Sequence, residues 1–169
     1  MRSVVGLSIL TAFAAPLPAQ QASVCSMLTP AEIQAVTGAA SDAGTPNDLS
    51  AAKGITTHTC MYSVPTEKGM LTVALGPKPA GMSATAIAKK NPGVDALRAQ
   101  HWIEEAKEYG STYCSLFSSP ATQKQPMSLT ACTGEAKGQV VSLTWMTPGK
   151  KMSLDEAKSL FDKAIPRVP

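Results

Sequence analysis

Apolar and polar residues alternate with a period of two through the stretch Gly110 to Thr147. This alternation predicts three consecutive antiparallel strands. The first two, Thr112 to Ser118 and Met127 to Thr133, flank an eight-residue loop, and the glycine-bounded turn Gly134 to Gly138 leads into the third. The stretch therefore predicts the centre of the fold.

One register satisfies both hairpins of this stretch. It places Cys114 opposite Cys132, and it pairs Leu129 with Leu143 across the second turn. The predicted core face then consists of Phe117, Leu129, Ala131, Val141, Leu143 and Trp145. A slip of one residue would move this whole set to the other face, because side chains alternate along a strand.

A second hairpin is predicted upstream, from Thr57 to Val64 and from Met70 to Leu75 around the turn Pro65 to Gly69. It sets Tyr62 opposite Leu71 and Cys60 opposite Val73. The side chain of Cys60 is therefore expected in the core.

Two capping boxes predict one helix near the start of the mature chain and one near its C-terminus. Thr29 to Glu32, with Pro30 at the first helical position, begins a helix that Gly38 ends, and Ser153 to Glu156 begins the C-terminal helix. The C-terminal helix carries the apolar stripe Ala157, Leu160, Phe161 and Ala164. Both helices are predicted to pack on the sheet.

The segments between these elements give weaker patterns. Ala39 to Gly54 has the composition of a surface loop, and Ser83 caps a short helix that runs to about Lys90. Asp95 starts a further helical piece through Ala106, although Trp102-Ile103 could equally start a strand. The sum is an α+β fold with an antiparallel sheet of about five strands, helices on one face and the order α-β-β-α-β-β-β-α.

The N-terminus indicates the compartment in which the protein resides. Arg2, an apolar run from Val4 to Ala15 and a small residue at the exit describe a secretory signal peptide over residues 1–19. Residues 20–169 then form one domain, because 44% hydrophobic and 16% charged residues suit one globular core. The run is too short to span a bilayer. Val24 directly before Cys25 argues against a lipid anchor, so we expect an exported, periplasmic or secreted protein.

Four cysteines remain in the mature chain, and they allow three disulfide connectivities. Export favours disulfides. The strand register ranks Cys114 to Cys132 first, and Cys25 to Cys60 follows by elimination and would clamp the first helix to the sheet.

Charge and candidate chemistry exclude several functions. The formal charge of +3 is spread along the chain and only 5% of residues are aromatic, so no nucleic-acid partner is expected. His58 and His101 have no ligand-spaced partners, the methionines form no sequence cluster that would suggest copper(I), and Ser50 to Lys53 matches an S-x-x-K pattern without its partner motifs. We therefore expect no cofactor, no metal and no catalytic residues.

The register also isolates a face opposite the core that is rich in hydroxyl and methionine side chains and almost without charge. A solvated sheet face is the commoner explanation of such a surface, but solvated faces usually carry Lys, Glu and Arg. The hypothesis is that a ligand or protein partner docks on Thr59, Met61, Thr72, Thr130, Ser142, Thr144 and Met146.

Residues Cys25-Ser26-Met27-Leu28-Thr29 through Gly38, followed by Cys60-Met61-Tyr62 on a hairpin strand, resemble the start of a family of small secreted actinobacterial lipoproteins of unknown function. Related domains serve as extracellular sensor regions of receptor kinases. The likeness covers the first half of the chain, and the missing lipid-attachment signal means that anchoring does not carry over. The resemblance implies an extracytoplasmic, disulfide-bonded, non-catalytic domain.

Three function classes follow from these observations. The sequence favours an exported binding or sensor-like domain whose ligand is unknown. An inhibitor or immunity-type interaction module, with a protein partner from the same compartment, is the alternative. A small periplasmic hydrolase is the third class.

Overall fold

A computed structural model describes residues 24–51 and 55–169, so the predicted signal peptide lies outside the described residues. The helices are α1 (Pro30–Thr37), α2 (Ala84–Lys89), α3 (Pro92–Ala99) and α4 (Leu154–Ala164). The strands are β1 (Thr45–Ala51), β2 (Ile55–Val64), β3 (Gly69–Pro77), β4 (Ile103–Tyr109), β5 (Thr112–Ser118), β6 (Ser128–Ala136) and β7 (Gln139–Thr147). Short 3-10 turns follow β2 and α4.

The strands form one antiparallel sheet in the order β1-β2-β3-β7-β6-β5-β4. The α+β class holds, but the expected sheet of about five strands and the expected order α-β-β-α-β-β-β-α are wrong. The described chain runs α-β-β-β-α-α-β-β-β-β-α. The two extra strands, β1 and β4, are the edges of the sheet.

Strand β1 lies where a surface loop was expected. Its sequence, TPNDLSA, is rich in residues that favour turns and are depleted in strands. An edge strand tolerates them, because Pro46 needs no N–H on the side that faces solvent. Backbone pairing with β2, in which Pro46 lies opposite Cys60, makes this segment a strand although its composition does not indicate one.

Strand β4 lies where the end of a helix was one expectation. Asn91 and not Asp95 caps α3, its side chain accepting from the Gly93 N–H at 2.8 Å, and α3 ends at Ala99. His101 then turns the chain with a φ of +61°. The alternative in which Trp102-Ile103 starts a strand is therefore the one that the structure adopts.

The register between β6 and β7 differs from the predicted one by three residues. The predicted pairs Cys114 with Cys132 and Phe117 with Leu129 are present, but Leu129 lies opposite Met146 and not opposite Leu143. The strands continue to a two-residue turn, Lys137-Gly138, whose φ angles of +48° and +74° fit a type I′ hairpin.

A register shift by an odd number of residues moves the side chains of one strand to the opposite face relative to its neighbour. The predicted core face was therefore wrong. Phe117, Leu129 and Ala131 lie on one side of the sheet, and Val141, Leu143 and Trp145 on the other. We call the side that carries Trp145 the inner face and the opposite side the outer face.

Helices α1 and α4 cover the inner face. The buried stripe of α4 is the one that its periodicity predicted, and its Phe161 packs against Gly134, where a Cβ would come within 2.8 Å of the ring. The core strands contribute side chains that are less than 2% exposed: Cys60, Tyr62, Val64, Leu71, Val73, Leu75, Val141, Leu143 and Trp145. Helices α2 and α3 lie on the outer face, so the expectation of helices on one face was also wrong.

A disulfide and two polar contacts tie the segment around α1 to the sheet and to the C-terminus. The disulfides are Cys25–Cys60 and Cys114–Cys132, the pairing that the register favoured. The Tyr62 hydroxyl donates to the carbonyl of Cys25 at 2.8 Å, and burial raises the pKa of Tyr62 to about 12. Arg167 donates to both carboxylate oxygens of Glu32 at 2.7 Å.

The Glu32 to Arg167 pair predicts a pH-dependent part of the stability. The Arg167 guanidinium lowers the pKa of Glu32 from 4.5 to about 2, helped by the Thr29 N–H and hydroxyl. Because the pKa is lower in the folded state, the stabilisation is complete above about pH 4.5 and disappears as the pH falls towards 2. Arg167 is 40% exposed, so we expect E32Q to lower the free energy of unfolding at pH 7 by about 1–2 kcal/mol.

Denaturant unfolding of wild type and E32Q at pH 7 and at pH 2.5 measures this effect. Glutamine can still close the capping box, so the variant removes mainly the charge. The difference between the two proteins should shrink at the lower pH. An equal difference at both values would contradict the assignment.

Candidate ligand-binding groove

The outer face is half covered. Helix α2 contacts β5 and β6, and α3 packs beside it over the same two strands. Phe117 and Tyr113 of β5 are consequently 0% and 7% exposed although they point away from the core. The outer side of β2, β3 and β7 carries no helix in the described part of the chain, so α2 and α3 form a wall along one side of an open surface.

Ion pairs hold this wall to β4. Lys89 of α2 donates to Glu108 at 2.5 Å, and Arg98 of α3 donates to the two oxygens of Glu104 at 2.8 and 3.0 Å. The Tyr113 hydroxyl donates to Glu104 at 3.2 Å. These contacts lower the pKa of Glu104, with Arg98 as the main cause. The helices are therefore fastened on the β4 side, and their β7 side faces the open half.

A cleft of about 270 Å³ lies between α3 and the sheet. Most of its lining is apolar, and every lining residue is uncharged: Asn91, Gly93, Val94, Leu97, Ser115, Phe117, Leu129, Ala131 and Thr144. Ser115 lies among the apolar residues of this lining and is 4% exposed. A hydroxyl group on the wall of an apolar cleft is suited to bind a polar atom of a ligand.

The open half of the outer face continues from this cleft. Thr144 lines the cleft, and Ser142, two residues along β7, lines a second depression of about 190 Å³ beside Ile87 of α2. Charged side chains are missing from the outward positions of β2, β3 and β7, which are Thr57, Thr59, Met61, Ser63, Met70, Thr72, Ala74, Val140, Ser142, Thr144 and Met146. We call this surface with its cleft the outer groove.

The structure brings most of the predicted site residues together. Met61, Thr72, Ser142, Thr144 and Met146 share the open half of the outer face. Thr59 lies on the same face but is 2% exposed, and its hydroxyl donates to the carbonyl of Asn47 on β1. A binding role for these residues remains a prediction.

Thr130 does not belong to this surface, so its placement there was wrong. It lies opposite Trp145 on the inner face, is fully buried, and donates to the carbonyl of Met152 at 2.8 Å. The cause is the three-residue change of register between β6 and β7. The same change moves Ser128 to the inner face.

Apart from Thr144, the residues that build the cleft were not identified as site residues from the sequence. Phe117, Leu129 and Ala131 were assigned to the core, and Val94 and Leu97 belong to a helix whose boundaries were misjudged. Asn91-Pro92 as a cap with a proline at the first helical position, followed by the i, i+3 pair Val94 and Leu97, is the signal that could have located α3.

Two features, a metal-binding cluster and a membrane-spanning helix, are absent from the described residues. No group of three or more His, Cys, Asp or Glu side chains in residues 24–51 and 55–169 is placed to bind a metal ion. In the same ranges, every helix is too short or too polar to cross a bilayer.

The fold resembles that of a known extracellular domain. The extracellular domain of PknH from Mycobacterium tuberculosis superposes with a TM-score of 0.58 at 13% identity, over 88% of this chain and 95% of that one. No family model matches the chain, and no curated protein matches its sequence. The chain therefore shares its fold with an extracellular domain, and the likeness to small lipoproteins is not shown.

Proposed function

We propose that this protein is an exported, non-catalytic binding or sensor-like domain that binds an uncharged, largely apolar ligand in the cleft of its outer groove. The observation that carries the proposal is the uncharged cleft under α3, whose walls are mostly apolar and include the hydroxyl group of Ser115. A volume of about 270 Å³ suits a small molecule or one arm of a larger one.

Two further observations support this function. The fold is shared with an extracellular domain, and the two disulfides fit a protein that matures outside the cytoplasm. The uncharged lining of the cleft favours a neutral ligand, since a charge buried there without a partner would cost free energy.

A protein-interaction module, such as an inhibitor or immunity-type partner, is the second candidate. Exposed apolar side chains favour it: Ile103 on edge strand β4 is 63% exposed and Met146 of the outer groove is 37% exposed. Such a partner would cover the open half of the groove, whereas a small ligand would fill the cleft.

Charge introduced into the groove is expected to abolish binding. T144K places an ammonium group at the mouth of the cleft, and T72E places a carboxylate on the neighbouring strand, where Thr72 lies directly opposite Thr144. Both side chains are half-buried, so the expected change in stability is within about 0.5 kcal/mol, as for other surface substitutions. T122K, in the exposed loop between β5 and β6, is the matched control.

The measurement is mass spectrometry of the small molecules and proteins that copurify with each variant from its own cell envelope, together with melting temperatures. A compound or protein retained by wild type and T122K but lost from T144K and T72E supports the groove. Equal retention by all four proteins would refute it. A lost compound points to the sensor-like function, and a lost protein to the interaction module.

A further inference from the structure

Three methionines that are widely spaced in the sequence meet on the outer face. Met70 of β3 lies directly opposite Met146 of β7. Met61 of β2 is diagonal to Met70, whose own partner on β2 is Ser63. Opposed side chains on one face have Cβ atoms about 4.5–5.5 Å apart, and diagonal ones are about 7–8 Å apart, within reach of long side chains. The sheet therefore assembles a thioether cluster with Met70 at its centre.

The cluster is open to solvent and lies next to a carboxylate. Met61 and Met70 line a depression of about 310 Å³ that also contains Asp42. One oxygen of Asp42 accepts from the Gly44 N–H at 2.9 Å. Asn47 Nδ2 donates to Met61 Sδ at 3.5 Å, and this hydrogen bond is exposed to solvent. Among the described residues that line the depression, none is a lysine or an arginine, so its local charge favours a cation.

The ligand chemistry selects the kind of cation. Thioether sulfur is a soft, neutral donor that binds Cu(I) and discriminates against hard ions such as Mg²⁺ and Ca²⁺, which prefer oxygen. Methionine has no proton to lose, so the ligands are ready at any pH at which the domain is folded. Flexible methionine side chains can also rotate towards a shared ion without moving the backbone.

We propose that Met61, Met70 and Met146 form a binding site for a soft monovalent metal ion, Cu(I), with Met70 as the central ligand. The site goes beyond the function proposed above. The three methionines belong to the open half of the outer groove, and none of them lines the cleft under α3. The two proposals can therefore be tested independently of each other.

Silver(I) is the probe, because it is soft and needs no reductant that would open the disulfides. Silver nitrate is titrated in chloride-free buffer into protein labelled at its methionine methyl groups, and NMR follows each methyl. One equivalent should shift the resonances of Met61, Met70 and Met146. The resonances of buried Met27 and Met152 and of remote Met82 should stay in place.

Leucine substitution separates coordination from apolar docking, because it keeps the apolar surface and removes the sulfur. M70L should weaken Ag(I) binding by more than the about 10–100-fold that loss of an outer-shell partner costs a metal site. M82L is the matched control and should bind as wild type does. The same ranking is expected for Cu(I) delivered anaerobically from an acetonitrile complex.

Three results would overturn the site. The first is M70L binding with unchanged affinity while its circular dichroism shows a folded domain. The second is bound Ag(I) that leaves the methyl resonances of Met61, Met70 and Met146 in place. The third is a wild-type protein that takes up no Ag(I) at stoichiometric concentration, which would leave the cluster as an apolar docking surface.

Discussion

Replacing Cys25 and Cys60 together by alanine is expected to lower the free energy of unfolding by about 3.8 kcal/mol, the chain-entropy value for a loop of 35 residues. The loop closed by Cys114 and Cys132 spans 18 residues, and its removal should cost about 3.2 kcal/mol. The first loss should exceed the second also because Cys25–Cys60 holds the segment before α1 against the core. Together the two bridges account for about 7 kcal/mol, against a typical domain stability of about 5–15 kcal/mol.

Urea unfolding of the wild type, the two double variants and the quadruple variant measures these losses at one pH. Each pair is removed as a pair, so no free thiol remains to form a wrong bridge. The quadruple variant should be largely unfolded near 37 °C. A loss below about 1 kcal/mol for Cys25 and Cys60 would show that the bridge constrains the unfolded chain far less than the model requires.

Trp145→Ala is expected to lower the free energy of unfolding by about 3–5 kcal/mol. The indole is 1% exposed and packs over Gly69, where an added Cβ would come within 2.2 Å of the ring. Its Nε1 donates to the carbonyl of Lys150 at 3.2 Å, which fixes the segment between β7 and α4. The substitution would therefore leave a cavity in the centre of the inner face and also release a connection.

Thr144→Ala is the control for this prediction. Thr144 is the sequence neighbour of Trp145 but faces the outer groove, and its loss should change stability by less than about 0.5 kcal/mol. Chemical denaturation of both variants tests the register directly. Similar losses for the two substitutions would mean that β7 does not present its faces as described.

Features set by local interactions could be predicted from the sequence. Both capping boxes, the β2–β3 hairpin and the stripe of α4 formed as expected, because a few neighbouring residues determine each of them. The β6–β7 turn was misjudged because Gly134 suggested a turn. Its missing side chain instead makes room for Phe161, a residue distant in sequence. A glycine pattern does not distinguish these two uses.

The edge strands show a second limit. The residues of β1 favour turns, and those of β4, IEEAKEY, include several good helix formers. Each becomes a strand because a stronger neighbour, β2 or β5, offers unpaired backbone groups. Only the tertiary structure contains that information.

The part of the candidate site that depends on alternation along single strands could be predicted from the sequence. Alternation along β2, β3 and β7 placed Met61, Thr72 and Thr144 on one surface. The helical wall over β5 depends on where α2 and α3 pack, and neither helix is long enough to indicate that from its own sequence. The methionine cluster needs the pairing of β3 with β7, which joins the two hydrogen-bonded parts of the sheet.

The pairing of β3 with β7 is a seam between two halves of the molecule. Strands β1 to β3 are contiguous in sequence, as are β4 to β7, and each disulfide lies within one half. Each half can therefore form its disulfide before the two halves pair, and neither disulfide crosses the seam. Joining the halves requires contacts that are distant in sequence, which slows folding.

The outer groove lies across this seam, since Met70 faces Met146 and Thr72 faces Thr144 over it. A ligand or metal ion that contacts both strands binds only the form in which β3 and β7 are paired. By mass action, its binding therefore stabilises the two halves against separation.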